Sequence, residues 1–209
     1  MLVALRNEVD LNSPVVISGC IGPRDDAYRP HQMTADDAQT YHSWQIETLA
    51  ATDIDLVHAM TITNVEEAIG IARAALHADV PVAISFTTET DGRLPSGATL
   101  ADAMSAVDSA TDSGPVYYGI NCAYPTHFQE AFPADAAGGR RIRSIRANAS
   151  RKSHAELDES EVLDPGDRQE LAALYRDLRQ HHEQLTILGG CCGTDASHIA
   201  AIALACLPA

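Results

Sequence analysis

The chain has 209 residues, 45% of them hydrophobic and 5% aromatic, enough for one sizeable core built from Ala, Val, Ile and Leu. Its formal net charge of −15, from 29 acidic and 14 basic residues, repels phosphate backbones and argues against a nucleic-acid partner. No apolar stretch reaches the roughly 20 residues that span a bilayer, the opening Met1–Glu8 is too short and too charged for a secretory leader, and five cysteines in no even framework indicate a reducing, cytoplasmic setting.

Strands and helices alternate along the chain. Pro14 to Pro23 is a short apolar run ending in a Gly/Pro turn, the pattern of a buried parallel strand. Thr34 to Ala51 has helical spacing, with Thr34 as a candidate N-cap and Asp36 and Asp37 in the first turn. Asp55 to Met60 reads as a second strand, and Asn64 as the cap of a helix over Val65 to Ala78. Val80 to Phe86 is a third strand, Leu100 to Thr111 a third helix, and Val116 to Cys122 a fourth strand. A helix from Thr126 to Phe132 and a fifth strand from Arg143 to Asn148 follow. Ala149 to Gly166 reads as a long βα loop, of the length that usually serves function. Asp167 to Glu183 is a long helix, Thr186 to Cys191 a sixth strand, and Asp195 or Ser197 opens a last helix through Leu204.

Such alternation predicts a parallel sheet with right-handed crossovers. Two architectures compete: an open doubly wound sheet, and a (β/α)₈ barrel of the TIM type, typically about 250 residues long. Cys20, Glu89, Cys122, Asn148 and Cys191 all fall at or just past the C-terminal ends of different strands. Convergence from many strands favours the barrel; an open sheet gathers its site at one switch point.

The run Leu188-Gly189-Gly190-Cys191-Cys192-Gly193-Thr194, with Asn121-Cys122 upstream, carries the chemistry. Adjacent cysteines rarely bridge to each other. Two thiolates on one Gly-flanked turn, plus a third from another strand end, suit a soft metal. Three protein ligands with an open fourth position is the pattern of a catalytic zinc site, and a thiol joining as fourth ligand would lose its proton. Cys122, Cys191 and Cys192 are therefore the expected ligands of a Zn2+ cofactor. No general base beyond this site is evident.

These same residues resemble the zinc-dependent homocysteine S-methyltransferases. Ser18-Gly19-Cys20-Ile21-Gly22-Pro23, Ile84-Ser85-Phe86-Thr87 and Arg146-Ala147-Asn148-Ala149-Ser150 support the match in the expected order. The resemblance implies a (β/α)₈ barrel whose three cysteines bind zinc, which holds the homocysteine sulfur as thiolate for conversion to methionine. It implies small-molecule partners: a thiol, and a methyl donor that is S-methylmethionine, betaine or a folate according to branch. Cys20, Thr61, Glu89, Asn121 and Asn148 are the expected substrate-binding residues on the rim. Asn121 and Asn148 also read as orienting or turn-forming groups, His127 and His154 as surface loop histidines, and Cys206 as packing.

Two departures from the family follow. The match begins at what resembles the third barrel strand. The expectation is thus a single domain over residues 1–209 with about six of the eight βα units, lacking the first two. Edges and core would be exposed unless upstream sequence or another chain, in a homo-oligomer, fills the gap. Second, Met60 stands before Thr61 where the family places a Glu for the substrate ammonium; Glu89 is the nearest substitute carboxylate. Alternative readings are a zinc-binding homologue without catalysis, and a methyltransferase for another thiol or a selenol.

Overall fold

The computed structural model describes residues 1–8, 14–28, 32–132 and 136–207. Six parallel strands form one sheet in sequential order: β1 (Ser18–Ile21), β2 (Leu56–Ile62), β3 (Val82–Phe86), β4 (Tyr117–Asn121), β5 (Ile142–Ala147) and β6 (Ile187–Gly190). Successive βα units that all turn the same way give this order. A doubly wound sheet reverses its order at a switch point, and no reversal occurs among these strands. The sheet curls as part of a TIM-type barrel.

The helices are α1 (Leu2–Glu8), α2 (Ala35–Ala50), α3 (Val65–His77), α4 (Leu100–Thr111), α5 (Pro125–Phe128), α6 (Ala136–Arg141), α7 (His154–Asp158), α8 (Arg168–His181) and α9 (Ala196–Cys206). Their starts are set locally. The side chains of Thr34, Asn64, Thr99, Asp167 and Asp195 each accept a hydrogen bond from a first-turn N–H, satisfying donors a helix otherwise leaves open.

Three segments differ from the sequence reading. The helix expected over 126–132 is a four-residue turn, α5, followed by a 3₁₀ turn at Gln129–Ala131. Helix α6 occupies a stretch to which the sequence reading assigns no element. Helix α7 lies inside the expected loop 149–166, opened by a capping box in which the Ser153 side chain accepts from the Glu156 N–H and the Glu156 carboxylate accepts from the Ser153 N–H.

The register separates the two faces of the sheet. Gly19 pairs with Val57, Val57 with Val82, and Ile84 with Tyr118. These rows, with Ile21, Ala59, Phe86, Ile120, Ile145 and Ala147, join the apolar core beneath the helices. The alternate rows point the other way: Cys20 beside His58, His58 beside Ala83, Ser85 beside Gly119, Gly119 beside Ser144, Asn121 beside Arg146. The concave face is thus polar, where branched aliphatics usually fill a barrel.

A buried polar group also organises the helix layer. The Glu67 carboxylate lies 3.0 Å from His42 Nε2 and accepts the Arg24 N–H at 2.7 Å. It fastens α2, α3 and the loop after β1 to one another, and that loop carries Tyr28.

Candidate metal centre

Cys122 follows β4 directly, and Cys191 and Cys192 follow β6. Their three Sγ atoms lie within 4.8 Å of one another. Cys122 Sγ is 2.9 Å from Cys191 Sγ and 3.5 Å from Cys192 Sγ, and all three thiols are free. A tetrahedral site with metal–sulfur bonds of about 2.3 Å holds its sulfurs roughly 3.8 Å apart. The donor set fits a thiophilic metal, and the other two sulfurs, which stand closer than that to Cys122 Sγ, would spread by less than about 1 Å to hold it. Burial rises from exposed Cys192 through half-buried Cys191 to buried Cys122, so one side of the cluster faces outward.

The backbone that aims these sulfurs is specific. Cys122 has φ +57°, a conformation uncommon for a residue with a side chain. Its carbonyl is correspondingly held: His154 Nε2 lies 2.6 Å from it and the Asn148 amide donates to it at 3.0 Å. Asn148 also accepts the Cys192 N–H at 3.2 Å, so one side chain joins the two cysteine-bearing loops. In the second loop the Cys191 N–H donates to the Ala147 carbonyl at 2.8 Å, and the Thr194 hydroxyl donates to the Cys191 carbonyl at 2.7 Å. Gly193 turns at φ +79°, and a Cβ at Gly190 would meet Thr194 Oγ1 at 2.2 Å. The glycines around the cysteine pair are thus demanded by the turn.

Asn121 clamps Thr61, which sits at φ +61°. Its carbonyl accepts the Thr61 N–H and its amide donates to Thr61 Oγ1, each at 2.7 Å, while the same amide nitrogen lies 3.9 Å from Cys191 Sγ. Tyr28 closes the top: its hydroxyl is 3.8 Å from both Cys122 Sγ and Cys192 Sγ, and its ring packs on His154 at 4.2 Å between centroids. Burial and then the two neighbouring thiols raise the Tyr28 pKa, so the phenol keeps its proton and is a donor toward sulfur. The thiols titrate as a unit. Hydrogen bonds from Cys122 and Cys191 lower the Cys192 pKa, and hydrogen bonding to its two neighbours raises that of Cys122. Beside Cys192 opens a cavity of 420 Å³, walled by Tyr28, Ser150, Leu157, Val162 and Leu163.

Of the expected substrate residues, Thr61, Asn121 and Asn148 are gathered at the cysteines. Glu89 reaches the same rim one step further out, 3.4 Å from His154 Nδ1. Cys20 is not drawn in: it is exposed on β1, beside His58 in register. His127 is half-buried against the Arg151 carbonyl. His154, read from sequence as a surface loop histidine, is instead only 6% exposed and supports Cys122. The capping box at Ser153 and Glu156 was the available signal that its loop is ordered. Tyr28 had no signal in the sequence, because its approach depends on the Arg24–Glu67 tether.

A partial barrel with three convergent thiols on the C-terminal rim defines a class of parallel α/β proteins with the ligand set for a metal. The homocysteine S-methyltransferase family profile matches residues 2–206, and the chain belongs to that family. No curated protein sequence matches it. Among solved structures it is similar to the homocysteine methyltransferase MmuM from Escherichia coli. Against the apo form the TM-score is 0.69 at 21% identity, covering 91% of this chain and 63% of that one. Against the metallated form it is 0.74 at 21% identity, covering 96% and 65%. Against the oxidized form it is 0.76 at 22% identity, covering 97% and 65%. At these identities the likeness shows the fold, and the chain spans a little under two thirds of the length of those proteins.

Proposed function

We propose that this chain binds Zn2+ through Cys122, Cys191 and Cys192 and transfers a methyl group to a thiol, homocysteine being the leading acceptor. The observation that carries this reading is the convergence of three thiols within 4.8 Å on the rim, together with family membership. The similar MmuM protein has a metallated form and is named a homocysteine methyltransferase, which supports both halves of the proposal. We read residues 1–209 as a single domain, its partners as a small-molecule thiol and methyl donor, and its setting as the reducing cytoplasm in which five free cysteines persist. No helix among the described residues is long and apolar enough to cross a membrane.

When bound, zinc supplies a Lewis acid that keeps a fourth, substrate sulfur deprotonated near neutral pH, where a free thiol with a pKa of about 8.5 is only a few per cent ionised. The protein's own residues do the rest. Asn148 and His154 hold Cys122 in its left-handed conformation. Asn148 and Thr194 fix the Cys191–Cys192 turn. Tyr28 covers the outer face of the sulfurs and donates toward them, restricting water there. The cavity beside Cys192 is the seat we assign to the methyl donor, where placement in line with the acceptor sulfur replaces a bimolecular encounter. The sulfur takes the methyl group, the donor heteroatom leaves with the bonding electron pair, and the thiol proton passes to solvent. Glu89 is the proposed carboxylate for a substrate ammonium, which Met60 cannot pair.

The test is methyl transfer by zinc-loaded protein, with homocysteine and other thiols or selenols as acceptors and S-methylmethionine, betaine and a methylfolate as donors. Product formation that is lost with Cys191→Ala supports the proposal. Stoichiometric zinc with no transfer to any acceptor would instead support a metal-binding homologue without catalysis.

A further inference from the structure

Within the curve of the sheet lies a second set of buried polar groups, one layer below the cysteines. Arg146 on β5 is half-buried and directed to the concave face. Among the described residues its Nε is buried with no hydrogen-bond partner, and no carboxylate forms an ion pair with its guanidinium. Ser144, one register step below, is fully buried, and its Oγ is equally unpartnered. His58 and Ser85 share a 2.7 Å hydrogen bond on the neighbouring strands. The wall is cut back around these groups. A Cβ on Gly189 would meet Arg146 Cγ at 3.3 Å, and one on Gly119 would meet Ser144 Cβ at 2.9 Å.

An arginine whose Nε is buried is rarely left without a partner, because a polar group taken from water is costly unless it is paired. This one sits in a chain with twice as many acidic as basic residues, 29 against 14, yet none reaches it among the described residues. Its neighbour His58 adds no second positive charge: burial, and then Arg146 itself, lower the His58 pKa, so that imidazole stays neutral. Arg146 also stands two residues before Asn148, which bridges the two cysteine loops. Arg146 pairs in register with Asn121, whose amide nitrogen is 3.9 Å from Cys191 Sγ. A short carbon chain running inward from a sulfur at the thiols would bring its far end to this layer.

We propose that Arg146 and Ser144 form an anion subsite on the concave face that takes the carboxylate of the thiol acceptor. The acceptor class is then a thiol bearing a carboxylate a few carbons from sulfur, a contact separate from the one proposed for Glu89. This rests on the proposed function and narrows it.

Calorimetric titration of the zinc-loaded protein with propanethiol, mercaptopropylamine and mercaptobutanoate separates the contributions. The carboxylate thiol should bind roughly ten- to a hundredfold tighter than propanethiol, the range expected of a charge-assisted hydrogen bond, while mercaptopropylamine reads any ammonium contact separately. Arg146→Met should erase that preference without changing zinc content, and Arg146→Lys should keep part of it. Equal affinities for all three thiols in the wild type, or a preference that survives Arg146→Met, would overturn the subsite while leaving thiol binding intact. Should Arg146→Met not fold, the wild-type series and Arg146→Lys still decide. Absence of binding by any thiol would remove the proposed function itself, and the subsite with it. Self-association that Arg146→Met abolishes while the preference persists would put a second chain's carboxylate on Arg146 and overturn the proposal.

Discussion

The two faces of this one sheet are built by opposite rules. The convex face is apolar and closed: Val57, Ile84, Phe86, Tyr118, Ile120 and Ile145 are at most 0% exposed and meet the helices. The concave face, from the same strands and one residue out of phase, carries His58, Ser85, Ser144, Asn121 and Arg146. A period of two makes this division possible. The lesson is that stability and chemistry are separable here by parity along a strand. Convex-face changes should act on folding and leave metal affinity alone; rim changes should do the reverse.

The largest effect expected is on the rim. Replacing Cys191 and Cys192 together by Ala removes two of the three proposed sulfur ligands, and bound zinc, measured by atomic absorption after dialysis, should fall from about one per chain to none. The circular-dichroism spectrum should be retained, because neither residue is fully buried. Retained stoichiometric zinc would remove these residues as ligands and dissolve the contrast between the faces.

On the convex face, Ile84→Ala should lower unfolding free energy by about 2–5 kcal/mol, since Ile84 is fully buried and its loss leaves a cavity. Urea titration gives the value. Zinc affinity, measured well below the transition, should not move. A variant that loses both together would show that the faces are coupled.

His58 tests the concave face through pH. Its pKa is pushed down from 6.5 to about 4, first by burial and then by Arg146. Between those pH values the unfolded chain binds a proton that the folded chain refuses, so stability is full above the unfolded value and declines as pH falls through the interval. The cost, once pH reaches the folded value, is about 3 kcal/mol. His58→Gln, which removes the titrating group while keeping a partner for Ser85, should flatten this part of the profile. Parallel pH–stability curves for wild type and variant would show that His58 is not held neutral.

Much of this division was legible in the sequence, and the reasons for the remainder are physical. The six strands and the caps at Thr34, Asn64 and Asp195 follow from short-range rules, and the structure keeps them. The cysteine cluster was legible because its residue types are rare and its turn needs glycine. What escaped depends on contacts distant in sequence. His154 reaches a carbonyl 32 positions away and Tyr28 reaches a thiol 94 positions away, and neither distance leaves a local pattern. The polar concave face was also hidden, because the apolar runs of β2 and β3 mask the single His58 and Ser85 they carry.

Asn148 measures how firmly the rim depends on its supports. Its amide donates to the Cys122 carbonyl and its oxygen accepts the Cys192 N–H. Asn148→Ala should weaken zinc binding roughly ten- to a hundredfold, the usual loss when a ligand's supporting partner is removed. Competition with a chromogenic chelator measures this, and an unchanged affinity would mean that the loops hold their shape without the bridge.

The smallest effect belongs to the helix layer, far from both faces' chemistry. Thr99 caps α4, its hydroxyl oxygen accepting the Asp102 N–H at 3.1 Å. Thr99→Ala leaves that donor to water and should cost about 1 kcal/mol of stability. Helix α4 follows β3, whose strand carries Ser85 but none of the three cysteines. The variant should therefore shift the urea midpoint slightly and leave both chelator competition and thiol affinity at wild-type values. A fall in zinc affinity with so small a loss of stability would mean that strain at a helix start reaches the cysteines through the sheet, and that parity along the strands does not isolate the rim after all.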